Sequence, residues 1–179
     1  MDGTARTLVI LAHPALEQAR IHPPLAAAAE ATPGVAVRDL YETYPDFAVD
    51  APAEQADLAG YDHLVLQFPF YWYAAPALLK EWLDVVLTHG FAYGDKGERL
   101  RCKTLGCAVS TGGGALARQT EGLTAKDVGL LLRPLELTAR LCGMRWAEPF
   151  IVRDADLTDQ AALKRAAAAY SDWLGGLGR

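Results

Sequence analysis

The chain has 179 residues, which is enough for one domain with a sizeable core. Hydrophobic residues make up 51% and charged residues 22%, as in an ordinary folded globular protein. The net charge of −5, without any basic run, argues against a nucleic-acid-binding surface or a patch for anionic lipid. We therefore expect a single domain, residues 1–179, with no nucleic-acid partner.

The sequence gives no sign of membrane insertion or export. No apolar stretch is long enough to span a bilayer, and His13 and Pro14 follow the apolar start too soon for a signal peptide. The three cysteines, Cys102, Cys107 and Cys142, form no CxxC pair, and their odd number argues against a disulfide framework. We expect a cytoplasmic protein with no metal site.

Short apolar runs alternate with longer helical patterns along the chain. Thr7–Leu11 is a continuous apolar run, which is typical of a strand buried on both faces. The other strand candidates are residues 35–40, 64–68, 104–110 and 146–152. The helix candidates, alanine-rich or amphipathic, are residues 25–31, 77–87, 128–142 and 161–174.

This alternation predicts an α/β fold in which parallel strands are joined by right-handed helical crossovers. Five such strands with helices on both faces form a doubly wound sheet. A ligand binds a sheet of this kind in the crevice beyond the carboxyl ends of its strands. The sequence therefore predicts a site formed just after Leu11, Phe68 and Ser110.

The first of these loops, residues 12–24, leads from a strand into a helix. A helix N-terminus offers free N–H groups and a positive dipole end, which suit a phosphate. Pro23 and Pro24 are tolerated in the first turn of this helix, where N–H groups have no intrahelical partner. They leave the amides of Arg20, Ile21 and His22 as donors. The alternatives are an ordinary surface loop and, for His13, a buried core histidine.

The second loop, residues 68–76, is crowded with aromatic side chains. Five of its nine residues are aromatic, in a chain that is only 9% aromatic. Contiguous aromatic residues on a loop bounded by prolines indicate that a planar ring system stacks there. A subunit interface, where Tyr and Trp are also enriched, is a compatible alternative.

The third loop begins with Ser110 and Thr111, which are followed by three glycines at 112–114. Glycines let a ligand approach the backbone closely, and the two hydroxyl groups supply hydrogen bonds. A glycine-rich turn alone is a common loop. Its position opposite the aromatic loop favours a binding role.

Together these motifs resemble the flavodoxin-like NAD(P)H:quinone reductases over nearly the whole chain. Within that family, the sequence is most similar to the branch with the ancillary flavoprotein of bacterial glutathione-gated potassium efflux systems. The matching motifs are LAHP at 11–14, LY at 40–41, YPDF at 44–47, FP at 68–69, WY at 72–73, Pro76, LLK at 78–80, Trp82, HGFAYG at 89–94, STGGG at 110–114 and CGM at 142–144.

The resemblance implies a flavodoxin-like fold with sheet order 2-1-3-4-5, a bound FMN or FAD, and a homodimer. NAD(P)H would deliver hydride to flavin N5, and a quinone or similar electrophile would then accept two electrons at the same face, with ping-pong kinetics. The implied cofactor-binding residues are His13, Ala19, Arg20, Ile21 and His22 near the phosphate, Pro69, Phe70, Tyr71, Trp72 and Tyr73 along the ring, and Ser110, Thr111, Gly112 and Gly113 at its pyrimidine side.

The chain departs from the family at several of these positions. Ala19 and His22 stand where serine and asparagine are common, and Tyr71 where glutamine is frequent. Many quinone reductases also have a tyrosine and a histidine after the glycine turn, where this chain has Arg118 and residues 122–124. Arg118 is a candidate to steady an anionic hydroquinone or a cofactor phosphate, but an arginine is no general acid at neutral pH.

Three functions are open at this point. The first is a two-electron quinone reductase. The second is a regulatory subunit that docks on the cytoplasmic face of a cation antiporter, which the similarity around residues 40–50 suggests. The third is a dimeric relative whose flavin site has decayed, which the departures at Ala19, Tyr71 and Arg118 suggest.

Overall fold

The computed structural model describes residues 5–112, 125–153 and 159–177. Its strands are β1 (Thr7–Leu11), β2 (Val35–Asp39), β3 (His63–Pro69), β4 (Thr104–Thr111), β5 (Arg145–Trp146) and β6 (Phe150–Arg153). Its α-helices are α1 (His22–Glu30), α2 (Leu40–Thr43), α3 (Ala51–Leu58), α4 (Ala77–Val86), α5 (Ala125–Leu131), α6 (Arg133–Leu141) and α7 (Gln160–Gly176). In these residues no helix is long and apolar enough to cross a membrane.

The strands form one parallel sheet in the order β2-β1-β3-β4-β5, with β6 also paired to β4. The predicted order 2-1-3-4-5 is therefore confirmed. The inner strands β1, β3 and β4 are buried along their whole length, whereas the edge strand β2 is half-buried. Burial on both faces explains why the inner strands are continuous apolar runs in the sequence.

Helices cover both faces of the sheet, as expected for a doubly wound fold. Alternate strand residues point to opposite faces, so Leu8 and Ile10 join one core cluster and Val9 joins the other. The first cluster packs against α3, α4, α5 and α6, and the second against α1 and α7. Side chains on the α1 and α7 face also form the polar network described below.

The fifth strand is interrupted rather than continuous over residues 146–152. β5 pairs with the start of β4 and β6 with its end, and residues 147–149 lie between them. Pro149 has no N–H to contribute to a ladder, which accounts for the break. The Glu148 carbonyl instead accepts a hydrogen bond from the Trp173 indole at 3.0 Å.

The helix predicted over residues 128–142 is also divided, into α5 and α6. Pro134 lies in the first turn of α6, where a missing N–H costs nothing, but the same residue would break a continuous helix. The prediction of one helix over residues 128–142 followed the apolar periodicity and did not take account of Pro134. Leu132 of the predicted apolar face is buried and Leu131 and Leu135 are partly buried, but Leu141 is 65% exposed, and the prediction of one continuous helix was wrong.

Two short helices, α2 and α3, were absent from the sequence prediction. Each begins at an aspartate: Asp39 accepts hydrogen bonds from the amides of Tyr41 and Glu42, and Asp50 accepts one from Ala53. Aspartate is a favoured N-cap residue, so both positions carried a start signal. Neither segment has the apolar periodicity on which the prediction relied.

Candidate functional site

The first loop leaves β1 and reaches α1 through a short 3₁₀ turn at Leu16–Gln18. The Ala12 amide bonds to the Gln67 carbonyl at 2.9 Å, which fixes the loop to the end of β3. Ile21 is the N-cap of α1 and makes no side-chain capping bond. Helix geometry and the proline pair therefore leave the Ile21 and His22 amides without an intrahelical acceptor.

The second loop is a tight turn that holds two aromatic residues in an unusual backbone conformation. Tyr71 and Ala74 exchange two backbone hydrogen bonds, of 2.9 and 3.0 Å. The two central residues, Trp72 and Tyr73, have φ of 52° and 62°. Glycine or asparagine normally occupies such positions, so the chain carries strain in order to place aromatic side chains here.

The third loop begins where β4 ends, beside the second. The Phe70 amide donates to the Ser110 carbonyl at 3.0 Å, which joins the two loops. Gly112 has φ of 83°, a conformation that suits glycine. The carboxyl ends of β1, β3 and β4 are thus tied together by backbone hydrogen bonds.

The three loops enclose one open crevice of about 560 Å³. That volume lies within the range typical of small-molecule and cofactor sites. The crevice is lined by His13, Ala15, Gln18, Ala19, Arg20, Ile21, His22, Pro69, Phe70, Tyr71, Ser110 and Gly112. The side chains of the described residues therefore leave space at the strand ends where the sequence predicted a ligand.

The two histidines of the crevice are uncharged at neutral pH. Burial is the main cause and the neighbouring His13 the smaller one of the lowering of the His22 pKa to about 3. Burial also lowers the pKa of His13, against the attraction of Asp39. Their rings lie 5.2 Å apart between centroids. Among the described residues that line the crevice, positive charge for an anionic ligand is available from the Arg20 guanidinium and the helix N-terminus.

A network of buried polar side chains lies beneath the crevice, on the α1 and α7 face. The Tyr170 hydroxyl donates to Gln67 Oε1 at 3.0 Å. Gln67 Nε2 donates to the His22 carbonyl at 3.3 Å and lies 3.5 Å from His22 Nδ1. His22 Nε2 lies 2.8 Å from Ser110 Oγ. His22 thus uses its ring to join the first and third loops.

The predicted binding residues divide into three groups. Most of them line the crevice, as listed above. Trp72, Tyr73 and Thr111 do not: Trp72 is 95% exposed, and Tyr73 lines a different groove. Gly113 and the catalytic candidate Arg118 lie outside the described residues.

Sequence reasoning missed Gln67 and Tyr170, which support the crevice from below. Gln67 is the polar residue within the otherwise apolar strand candidate at residues 64–68, and a buried polar side chain needs a hydrogen-bond partner. That mismatch was a usable signal. Tyr170 carried none, because an alanine-rich helix does not reveal where a single hydroxyl points.

An apolar groove of about 640 Å³ lies next to the crevice. It runs between the aromatic loop, α4 and the α5–α6 pair. Leu130 and Leu141 line it, and each is 65% exposed. Phe70 lines both the groove and the crevice, so the two cavities share a wall.

The architecture and the strand-end crevice define a flavodoxin-like protein. The family model described as flavodoxin-like fold, Flavodoxin_2, matches residues 5–174, and the chain belongs to this family. The resemblance predicted from the sequence motifs is therefore confirmed.

Individual relatives are similar over nearly their whole length. The glutathione-regulated potassium-efflux system ancillary protein KefG of Cronobacter sakazakii is 41% identical over 174 residues, which cover 97% of this chain and 95% of KefG. General stress protein 14 of Treponema denticola, solved in complex with FMN, is 40% identical with a TM-score of 0.83, covering 94% of this chain and 97% of that one. An NADPH-quinone reductase from P. pentosaceus is 32% identical with a TM-score of 0.81, covering 97% and 99%.

Proposed function

We propose that this protein is a flavin-dependent NAD(P)H:quinone oxidoreductase that holds FMN in the strand-end crevice. The observation that carries the proposal is the convergence of three features on one space: an uncapped helix N-terminus, the aromatic side chains of Phe70 and Tyr71, and the Ser110 end of β4. Similarity to an FMN-bound structure and to an NADPH-quinone reductase supports it.

The residues present suit a phosphorylated flavin. The Ile21 and His22 amides and the Arg20 guanidinium would bind the phosphate, a task that a neutral His22 ring cannot share by charge. Phe70 and Tyr71 would contact the ring, and the Ser110 hydroxyl would bond to its polar edge. When bound, a flavin supplies two-electron hydride chemistry that no side chain provides.

The first experiment identifies the cofactor. Purified protein is expected to show flavin absorbance, to release FMN rather than FAD on denaturation, and to oxidise NAD(P)H when a quinone is added. FMN is expected to raise the melting temperature of the apoprotein, because it binds the folded state. Protein that stays colourless, inert and thermally unchanged with both FMN and FAD would support the decayed-site alternative instead.

Arg20→Ala is expected to weaken FMN affinity by about tenfold to a hundredfold, since a hydrogen bond to a charged group contributes about 1.5–3 kcal/mol. Arg101→Ala is the matched control, because exposed Arg101 pairs with Glu98 near the amino end of β4, at the opposite edge of the sheet. Equal FMN affinity in both variants, measured by fluorescence titration, would contradict the phosphate assignment.

A second candidate function is an ancillary role in a potassium-efflux system, on the cytoplasmic face of a cation antiporter. The 41% identity to KefG across 97% of the chain favours it. We expect the protein to co-purify with an antiporter from its own organism and to alter potassium efflux from cells that express both. If potassium efflux is the same with and without the protein, this role is contradicted, but the reductase proposal is unaffected.

We also propose a homodimer in which the apolar groove is covered by a second copy. Exposed leucines beside an open groove are costly in water, and contiguous apolar patches mark association surfaces. A groove that shares Phe70 with the crevice would place the partner next to the flavin.

A further inference from the structure

The polar network beneath the crevice has a direction that its partners determine. A carbonyl oxygen only accepts, so the Gln67 atom 3.3 Å from the His22 carbonyl must be the amide nitrogen. The Tyr170 hydroxyl reaches the other Gln67 atom at 3.0 Å and donates to it as an amide oxygen. The His22 carbonyl therefore fixes the orientation of the Gln67 side chain, and the Tyr170 hydroxyl, which can donate or accept, complements it as a donor.

This orientation determines which nitrogen of His22 carries the proton. Gln67 Nε2 also faces His22 Nδ1, at 3.5 Å, so Nδ1 meets a donor. A neutral imidazole with Nδ1 as acceptor carries its proton on Nε2. The Nε2–H group then donates to Ser110 Oγ at 2.8 Å.

The arrangement leaves the Ser110 hydroxyl proton directed away from His22. Ser110 lines the crevice, although only 6% of its surface is exposed. Its oxygen receives the proton of His22, and its own O–H is available to an acceptor in the crevice. With the opposite tautomer, Ser110 would donate to His22 and offer the crevice only lone pairs.

We propose that His22 is a positioning residue whose Nε2–H tautomer, fixed by Gln67 and Tyr170, makes Ser110 a hydrogen-bond donor to the bound flavin. The inference rests on the proposed function for the identity of the ligand. The polar edge of an oxidised flavin presents carbonyl oxygens and unprotonated nitrogens, which are acceptors, and one donor, N3–H. A serine fixed as a donor matches the acceptors of that edge and not its N3–H group.

The tautomer is tested directly by ¹⁵N-edited NMR of the four histidine rings in the flavin-free protein, with His22→Asn used to assign the His22 signals. We expect a neutral His22 protonated at Nε2. A ring protonated at Nδ1 overturns the inference, whether or not the protein binds FMN.

The consequence for the ligand is tested with variants that change the network outside the crevice. Gln67→Met/Tyr170→Phe keeps the volume but removes the donor to Nδ1. Ser110→Ala is expected to weaken FMN affinity by up to about tenfold, and Gln67→Met/Tyr170→Phe by a smaller factor. Ser110→Ala and Gln67→Met/Tyr170→Phe act through the same hydrogen bond to the flavin. A variant that carries all three substitutions should therefore bind FMN no more weakly than Ser110→Ala alone.

Tyr44→Phe is the matched control, since Tyr44 is a buried tyrosine that bonds to Glu54 on the other face of the sheet. It is expected to leave both FMN affinity and the flavin midpoint potential unchanged, whereas Gln67→Met/Tyr170→Phe shifts both. Additive effects with Ser110→Ala, or wild-type affinity and potential in Gln67→Met/Tyr170→Phe, would overturn the inference. Failure of the unmodified protein to bind any flavin would instead remove the proposed function, while the NMR result would still decide the tautomer.

Discussion

His22 shows how a residue of a binding site can be specified by what lies behind it. Only 1% of its surface is exposed, and both ring nitrogens face protein atoms. The position suggested a ligand contact from the sequence. The structure places the ring of His22 in the network beneath the crevice that His22 also lines.

The low pKa of His22 makes stability depend on pH. Between about pH 3 and pH 6.5 the unfolded chain binds a proton at this residue and the folded chain does not. The free energy of unfolding is therefore not reduced by this residue above pH 6.5. Below that pH it decreases as the pH falls, by about 1.4 kcal/mol per pH unit for one proton. Burial lowers the pKa of His13 and His63 in the same direction.

The slope of the unfolding free energy against pH reports the difference in bound protons between the unfolded and folded chains. Between about pH 5 and pH 6.5, we expect His22→Asn to reduce that difference by close to one proton. Urea denaturation at a series of pH values measures this slope. His89→Asn, at an exposed histidine, is the control and should keep the wild-type slope. An unchanged slope in His22→Asn would show that the ring is not kept neutral by the fold.

Trp72 shows that a strained residue can also be fully solvated. Its φ of 52° disfavours any residue with a Cβ atom, yet 95% of its surface is exposed, so packing does not compensate. Strained backbone is found most often at binding sites and switch regions, and this turn lies beside the crevice.

Trp72→Gly is expected to raise the free energy of unfolding of the flavin-free monomer by up to about 1 kcal/mol, because glycine adopts this φ without strain. Trp72→Ala removes the same aromatic ring but keeps the Cβ atom, and should give little gain. Urea denaturation compares the two. A Trp72→Gly variant less stable than Trp72→Ala would show that the turn is not strained.

At the scale of the elements, a buried carboxylate joins three parts of one face. Glu54 on α3 is 1% exposed and accepts hydrogen bonds from Arg38 on β2 and Trp82 on α4, at 2.7 and 2.9 Å. The Tyr44 hydroxyl adds a third at 2.7 Å, and its burial beside this carboxylate raises the Tyr44 pKa to about 12. The carboxylate thereby fixes the loop between α2 and α3.

Glu54→Ala is expected to destabilise the protein by about 3 kcal/mol, because it leaves a partly buried guanidinium and an indole N–H without their acceptor. Asp57 is the second carboxylate that pairs with Arg38, and its side chain is 38% exposed. Asp57→Ala should therefore reduce the free energy of unfolding by at most about 1 kcal/mol. Thermal and urea denaturation measure both. Similar losses in the two variants would contradict the central role of Glu54.

The elements themselves were largely predictable from the sequence. Runs such as Thr7–Leu11 are apolar because they are buried on both faces, and that pattern is local. The errors fell where a local signal competed with another: Pro134 against the periodicity of one long helix, and Pro149 against one long strand. The short helix α3 was missed because an aspartate cap without periodicity is a weak signal.

At the scale of the whole molecule, the convergence of three strand-end loops followed from topology. Once the strands are parallel and ordered 2-1-3-4-5, the residues after β1, β3 and β4 must lie together. The network from Tyr170 to Ser110 was not predictable in this way. Its bond between Tyr170 and Gln67 spans 103 residues and depends on side-chain rotamers that no sequence pattern encodes.

The proposed dimer is tested at the apolar groove. Leu141→Glu places a charge on a lining leucine and is expected to yield a monomer in sedimentation velocity, since a desolvated charge in an apolar interface is costly. Leu137→Glu is the matched control, because Leu137 is 50% exposed on the same helix but does not line the groove. A dimer that tolerates Leu141→Glu would place the interface elsewhere.

The ring of Phe70 stands between the crevice and the groove. An occupant on either side that restricts this ring lowers the entropic cost for the occupant on the other side. For the proposed flavin and the proposed second copy, cofactor retention and subunit association would then be reciprocal equilibria, in which each strengthens the other by the same factor. Dilution that separated the proposed dimer would also release the flavin.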